Sequence, residues 1–349
     1  MSDQRRTGGA DTIEPDDDEA ARPEDQLLHT ASTQPAAGAV SAATAAEGGV
    51  SEYQASLWGD AWRQLRRKPL FLIAAGLLVL FAAIAVAPGV FAGRCSSCAE
   101  FANQDLPRTL PADYADLSRS VETPSAQHWF GFDIQGRDYF TRVLYGTRVS
   151  LIIGFLVVGV DVVIAIILGC IAGFYGRFFD AVIGRGADIW FALPTTLAGL
   201  VFLSVLDNRG LFQVSAVLIF LAWPTLMRLM RSSVLAGKEA DYVQAARALG
   251  ASDWRILRVH ILPNGIAPVI VYATISVGII VSAEAALSFL GVGLQLPSIS
   301  WGLMIADSQG RLLSSPHLLL FPGAFLSVFV LCFIVLGDQL RDALDPRLR

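Results

Sequence analysis

Residues 241–264, DYVQAARALGASDWRILRVHILPN, lie between two runs apolar enough to cross a bilayer, yet they are patterned as an amphipathic helical hairpin. Tyr242, Ala245, Ala246 and Leu249 recur at i, i+3, i+4 and i+7, which lines one helical face with apolar groups. Asp241, Gln244 and Arg247 fall elsewhere on the same helix. Gly250 then stops the first limb, where a left-handed C-terminal cap strains glycine least. Ser252 is placed to cap the second limb, and Trp254, Leu257 and Ile261 carry an apolar stripe until Pro263 ends it. The small pair Ala245 and Ala246 lets another backbone approach closely. A loop built this way reads as a docking element.

Working outward, hydrophobic residues make up 54% of the 349 residues and charged ones only 16%, a balance seldom met in a soluble globular chain. The apolar residues come in blocks. Uncharged runs cover 69–93, 189–206, 210–227, 265–283 and 312–337, and a further run, 149–176, is broken only by Asp161. Each reaches about 18 residues or more, enough for a membrane helix. The fold expected is therefore an all-α membrane protein of six spans, with the third and fourth so closely joined that they form a helical hairpin.

Arginines and lysines orient the bundle, because cytoplasmic loops keep an excess of them. Arg63, Arg66, Arg67 and Lys68 precede the first span, and Arg228, Arg231, Lys238, Arg247, Arg255 and Arg258 surround the hairpin. An even number of spans brings Arg341, Arg347 and Arg349 back to the same side, so both termini are expected in the cytoplasm. Arg137, Arg142 and Arg148 run against the rule from an outer segment that is long and mixed in charge, and the span count overrides them. The net charge of −5 arises from acidic residues crowded into the first fifty or so positions, including Asp16 to Glu19. Beside a basic inner face, that tail gives no reason to expect a nucleic-acid partner.

The chain divides accordingly. Residues 1–52 form an acidic Ala/Gly-rich tail too poor in large apolar groups to order itself, read as disordered and cytoplasmic. Residues 53–68 read as an interfacial amphipathic helix with Trp58 and Trp62 suited to the lipid boundary. The first span, 69–93, is an anchor and not a removable signal peptide. Residues 94–147 are extracytoplasmic, and 148–349 hold five further spans with the loop 234–264.

The spacing Gln244-Ala245-Ala246, three residues, Gly250, nine residues, His260, one residue, Leu262-Pro263 resembles the coupling loop of permease subunits in ATP-binding-cassette importers. The usual pattern there is Glu-Ala-Ala, Gly and Ile-x-Leu-Pro, so Gln244 stands for the Glu and His260 for the Ile. The ending His-Ile-Leu-Pro-Asn narrows the likeness to the dipeptide, oligopeptide and nickel group. A second signature, Gly131, Asp133, Gly136, Arg137 and Asp138, precedes the second span, and Asp188 with Pro194, Trp301-Gly302 and the terminal 337–346 extend the likeness over 57–349. The resemblance implies the type I importer permease fold in a bacterial cytoplasmic membrane, with 53–68 as the family's elbow helix. It also implies a second homologous permease, two ATP-binding subunits whose grooves receive the hairpin, and an extracytoplasmic substrate-binding protein. Short peptides are the implied cargo, with nickel chelates or another small solute as the alternative.

No phosphate-cradling G-x-x-x-x-G-K-[ST] loop is present: around Gly237-Lys238, Ser232 stands where the first Gly belongs and Glu239 follows the Lys. H-E-x-x-H and G-x-S-x-G are also missing, so the chain reads as a non-catalytic subunit with no cofactor of its own, ATP and Mg²⁺ being held by partners. Asp161 is the residue most at odds with its surroundings, since a mid-span carboxylate costs several kcal/mol unless paired or hydrated. It is either a pathway group contacting a cationic substrate or a structural hydrogen-bonding group. Glu284, near the outer end of the fifth span, resembles an acidic residue of the family with a structural role. An ion-coupled secondary transporter using Asp161 and Glu284 is the rival from another class, though it would not need the hairpin. Gly136, Arg137 and Asp138 read as a glycine-stabilised turn feeding an interfacial helix. Cys170 and Cys332 lie within spans and read as small packing residues.

Cys95 and Cys98 form C-S-S-C in the outer segment, where an oxidising compartment favours a disulfide, and without a second pair they do not hold zinc. Idle thiols are the alternative. If the two are bonded, alkylation of the native protein will label them only after reduction; identical labelling with and without reductant would remove the bond.

Overall fold

The computed structural model describes residues 57–92 and 115–344; the acidic tail, Cys95 and Cys98 lie outside the described residues. The elbow, α1, spans Leu57–Leu65 and leads through a turn into α2, Pro69–Val86, whose proline opens the helix where an N–H has no partner. A short helix, Pro88–Ala92, follows.

Helix α3 runs over Tyr139–Tyr175, 37 residues and about 55 Å. It starts inside the segment expected to be extracytoplasmic, because the Asp138 carboxylate caps it, accepting from Thr141 N at 2.9 Å and Thr141 Oγ1 at 2.7 Å. Next come α4, Arg177–Ala192, and α5, Thr195–Ser204, set at 86° to each other. The third span expected over 189–206 is thus found to begin earlier, at Arg177, and to be a sharply bent pair. Pro194 forces the break: it lacks an N–H and holds Leu193 in extended conformation, φ −86° and ψ 125°. Helix α6, Leu211–Lys238, leads directly to the hairpin, whose first limb is α7, Asp241–Ala248. Then α8, Ala267–Phe289, α9, Trp301–Asp307, and α10, His317–Leu344, complete the order. Among the described residues five helices, α2, α3, α6, α8 and α10, are long and apolar enough to cross a membrane, and the bent α4–α5 pair makes a sixth candidate.

Helices α3 and α6 form the centre. Gly169 and Gly173 let them touch backbone to backbone, since an added Cβ would lie 2.9 Å from Met227 O and 2.9 Å from Arg231 O respectively. Trp301 of α9 is fully buried among Phe81, Phe325 and Phe329, and its Nε1 donates to Val143 O at 3.1 Å. At one end of the bundle, Ala61, Leu65, Phe71 and Ala343 cluster where α1 meets α10, with Lys68 Nζ 3.1 Å from Asp342. The same end carries Lys238 Nζ on Phe174 O, at the C-termini of α6 and α3, and the hairpin beyond them. Ile73, Val79, Phe155, Ile167 and Leu331 are exposed, which gives the bundle the apolar outside a bilayer requires.

Two prolines sit inside long helices, and each frees the carbonyl four residues earlier. Pro224 frees Phe220 O, which accepts from Trp190 Nε1 of α4. Pro322 frees Leu318 O, which accepts from Tyr139 Oη of α3 and from Ser308 Oγ at 3.1 Å. Replacing both donors, Tyr139→Phe with Ser308→Ala, leaves Leu318 O unpaired in a dry interior and should lower stability by about 1–3 kcal/mol more than Tyr139→Phe alone. Urea unfolding of both variants in mild detergent measures the difference; equal midpoints would mean that the carbonyl finds another donor.

Candidate functional site

Three groups of sequence-selected residues come into view: the hairpin, the surroundings of Asp161 and the outer turn. In the hairpin, Gly250 adopts φ +82°, and Gly250 N bonds Arg247 O at 3.0 Å while Ala251 N bonds Ala246 O at 3.1 Å. These are the two bonds of a Schellman cap. No heavy atom lies within 4 Å of the position a Gly250 Cβ would take, so backbone conformation, not crowding within the chain, demands the glycine. The second limb is helical through Asp253–Arg255, Ile256–Ile261 and Leu262–Gly265, with the wider π turn over the middle piece. Two local expectations are corrected here. Ser252 stands at the N-cap but its side chain makes no cap bond, and Pro263 does not end the limb, because the preceding π turn accommodates it and the chain runs on into α8.

The apolar stripe points away from the chain. Tyr242 is 45% exposed, Leu249 88% and Trp254 66%, while Ala245, Pro263 and Asp241 are exposed and Ala246 and Leu262 half-buried. What anchors the hairpin is Val243, fully buried, together with Ile256, Leu257 and Ile261. Gln244 Nε2 donates to Lys238 O at 3.0 Å, an orphan carbonyl at the end of α6 that a carboxylate at this position could not serve.

Asp161 lies on α3, 1% exposed, beside a cavity of about 230 Å³. The walls come from α4, α5, α6 and α8, with Trp190, Thr195, Leu221 and Tyr272 among them. Below this cavity, α4 is tied to α6 by Arg228 on Asp188 and by Arg231 Nη2 on Asp180 Oδ2 at 2.7 Å. Arg228 also stands 4.1 Å over the Phe191 ring, which lines the cavity. Glu284 is placed elsewhere. It is fully buried on α8, accepting from Ser288 Oγ at 2.7 Å and Ser300 Oγ at 3.0 Å, where it fastens the start of α9.

At the opposite end from the hairpin, Gly136 turns with φ +70°, where a side chain would overlap the Asp116 carbonyl. Arg137 N donates to Asp133 Oδ1 at 2.8 Å, and Arg142 Nε lies 3.4 Å from Asp133 Oδ2. His128 Nδ1 pairs with Asp138 Oδ1 at 3.1 Å. Burial raises the Asp307 carboxyl nearby, with Arg142 pulling it back, whereas Ser118 donating to Asp116 lowers that carboxyl. The hydrogen bonds make this region a rigid cap on α3. Sequence reasoning missed His128, Tyr139, Trp190 and Val243, all of which act through contacts distant in sequence or on a neighbouring limb.

Comparisons with known proteins agree with this architecture. Residues 165–349 match the family described as binding-protein-dependent transport system inner membrane component, and residues 56–108 match the N-terminal TM domain of oligopeptide transport permease C. A dipeptide transport system permease protein of Alkalihalophilus pseudofirmus is 38% identical over 299 residues, covering 84% of this chain and 91% of its own. A glutathione transport system permease protein of Pectobacterium atrosepticum is 38% identical, covering 84% and 92%. An oligopeptide transport system permease protein of Bacillus subtilis is 36% identical, covering 86% and 93%.

The opposed faces of α7 yield a direct contrast. Val243→Ala removes about 1–2 kcal/mol of burial and should raise amide exchange across Asp241–Ala248. Leu249→Ser, at an exposed position, should leave exchange unchanged; equal effects would contradict the packing described.

Proposed function

The chain belongs to the family of binding-protein-dependent transport system inner membrane components, and we propose that it forms half of a pathway importing short peptides, driven by ATP hydrolysis in partner chains. The observation that carries this reading is the outward apolar face of the hairpin, held between α6 and α8, both of which line the cavity beside Asp161. Tyr242, Ala245 and Leu249 present apolar surface at the basic end of the bundle, where a cytoplasmic ATPase would bind. On this reading both termini lie in the cytoplasm and the cap of Gly136, Arg137 and Asp138 lies outside, facing an extracytoplasmic binding protein.

A second homologous permease would complete the pathway, and two ATP-binding subunits, holding ATP and Mg²⁺, would supply the work. From Thr225, in the cavity wall, to Lys238, beside the hairpin, α6 is continuous for about 20 Å. A displacement of the docked hairpin is therefore delivered to the cavity without an intervening loop. Peptide cargo is supported by the dipeptide, oligopeptide and glutathione names carried by the relatives, glutathione being itself a short peptide. The hairpin also weighs against an ion-coupled secondary transporter, which has no use for a docking face.

In the complex purified with its partner subunits, Leu249→Glu should reduce binding-protein-stimulated ATP hydrolysis at least tenfold while leaving the hairpin folded. Gly250→Val should also reduce it, by breaking the +82° cap that shapes the hairpin. Stimulation at the parental rate in both variants would overturn the docking reading, and uptake of labelled dipeptide into proteoliposomes tests the cargo.

A further inference from the structure

Asp161 is buried on the central helix, and its Oδ1 has no hydrogen-bond partner among the described residues. The carboxylate borders a cavity of about 230 Å³ whose lining contains no lysine, no arginine and no second acid. The first turn of α5 reaches the same space through Thr195 and Thr196, yet no amide of that turn bonds Asp161 Oδ1. A carboxylate held in an apolar bundle with Oδ1 lacking a donor is strongly unfavourable unless it takes up a proton or a cation or donor enters from the cavity. The remaining walls suit a cation. Trp190 and Tyr272 supply aromatic rings, Phe191 being already covered by Arg228, and Thr195, Thr225 and Ser276 supply hydroxyls.

We propose that this cavity binds a primary ammonium group, with Asp161 as its counter-charge. Size selects the class: the space holds several waters or one head group with a small side chain, less than a whole drug-sized ligand needs. An ammonium with three donors can satisfy the orphan carboxylate oxygen and two hydroxyls at once. Resting on the peptide reading for its source, the ammonium is the free amino terminus of a peptide in transit, and Asp161 orients that end beside the break between α4 and α5.

The test uses the whole purified transporter, without its binding protein, and follows thermal unfolding. The probes are propylammonium chloride, alanylalanine, N-acetylalanylalanine and sodium chloride at matched ionic strength. Propylammonium and alanylalanine should raise the unfolding midpoint in a concentration-dependent way, and the acetylated peptide and sodium should not. Asp161→Asn should weaken the apparent affinity for both amines by about tenfold to a hundredfold, the range expected for a charged hydrogen bond, and Asp161→Glu should restore part of it. Both variant complexes are first checked for parental subunit content. An amine response that survives Asp161→Asn, a sodium response equal to the amine response, or no amine response in the parental complex would each overturn the site. The peptide reading is judged separately by dipeptide uptake: a complex that binds propylammonium through Asp161 but imports no peptide keeps the site and loses the cargo.

Discussion

Pro224 and Pro322 each take one backbone donor out of the middle of a long apolar helix, and the bilayer offers no water to replace it. Tertiary partners must therefore arrive at fixed places. Trp190 satisfies Phe220 O and thereby pins the end of α4 onto α6, just before the chain breaks at Pro194. Tyr139 and Ser308 satisfy Leu318 O, which locks the start of α3 and the end of α9 onto α10. The position of the bent pair, and hence one wall of the cavity beside Asp161, follows from a single missing N–H on a neighbouring helix.

The same demand explains the arginines that contradicted the charge rule. Arg148 donates through Nε to Ala85 O at 3.0 Å and through Nη2 to Val86 O at 3.2 Å, serving the orphan carbonyls at the end of α2. Arg142 is nearly inaccessible and lies against Asp133. Arg142 is thus paired within the chain, while Arg148 keeps its charge at the surface but spends its donors on the end of α2. By contrast the pair of Lys68 and Asp342 is half open to solvent and contributes little, even though it marks where α1 meets α10.

How much of this was legible follows from the range of each signal. Helices α2, α6, α8 and α10 could be read because apolar length is a local property. The start of α3 at Tyr139 could not, since Arg142 and Arg148 look like loop residues until partners nine and 63 positions away, Asp133 and Ala85, engage them. Counting uncharged residues over 189–206 was blind to direction, and at Pro194 the run bends by 86°. Gly250 was legible because a left-handed cap is decided within a few residues. The stripe of Tyr242, Ala245, Ala246 and Leu249 was legible as apolar, but its outward direction depends on Val243 being held against the second limb. Asp161 was recognisable as a misfit, whereas its cavity is assembled from four further helices.

The bundle is not uniformly stiff, and the difference decides how force from the hairpin would spread. Beyond Pro224 toward the hairpin, α6 is locked to α3 by the backbone contacts at Gly169 and Gly173, so the two helices move as one piece. Helix α4 is joined to α3 through Gly176 and is held on α6 by side chains, Trp190 on Phe220 O and the acids Asp180 and Asp188 on Arg231 and Arg228. Such contacts can rotate about their bonds where packed backbones cannot slide. The α4–α5 break is therefore where the wall carrying Trp190 and Thr195 can part from the wall carrying Asp161, and on the docking reading a push through α6 would act there.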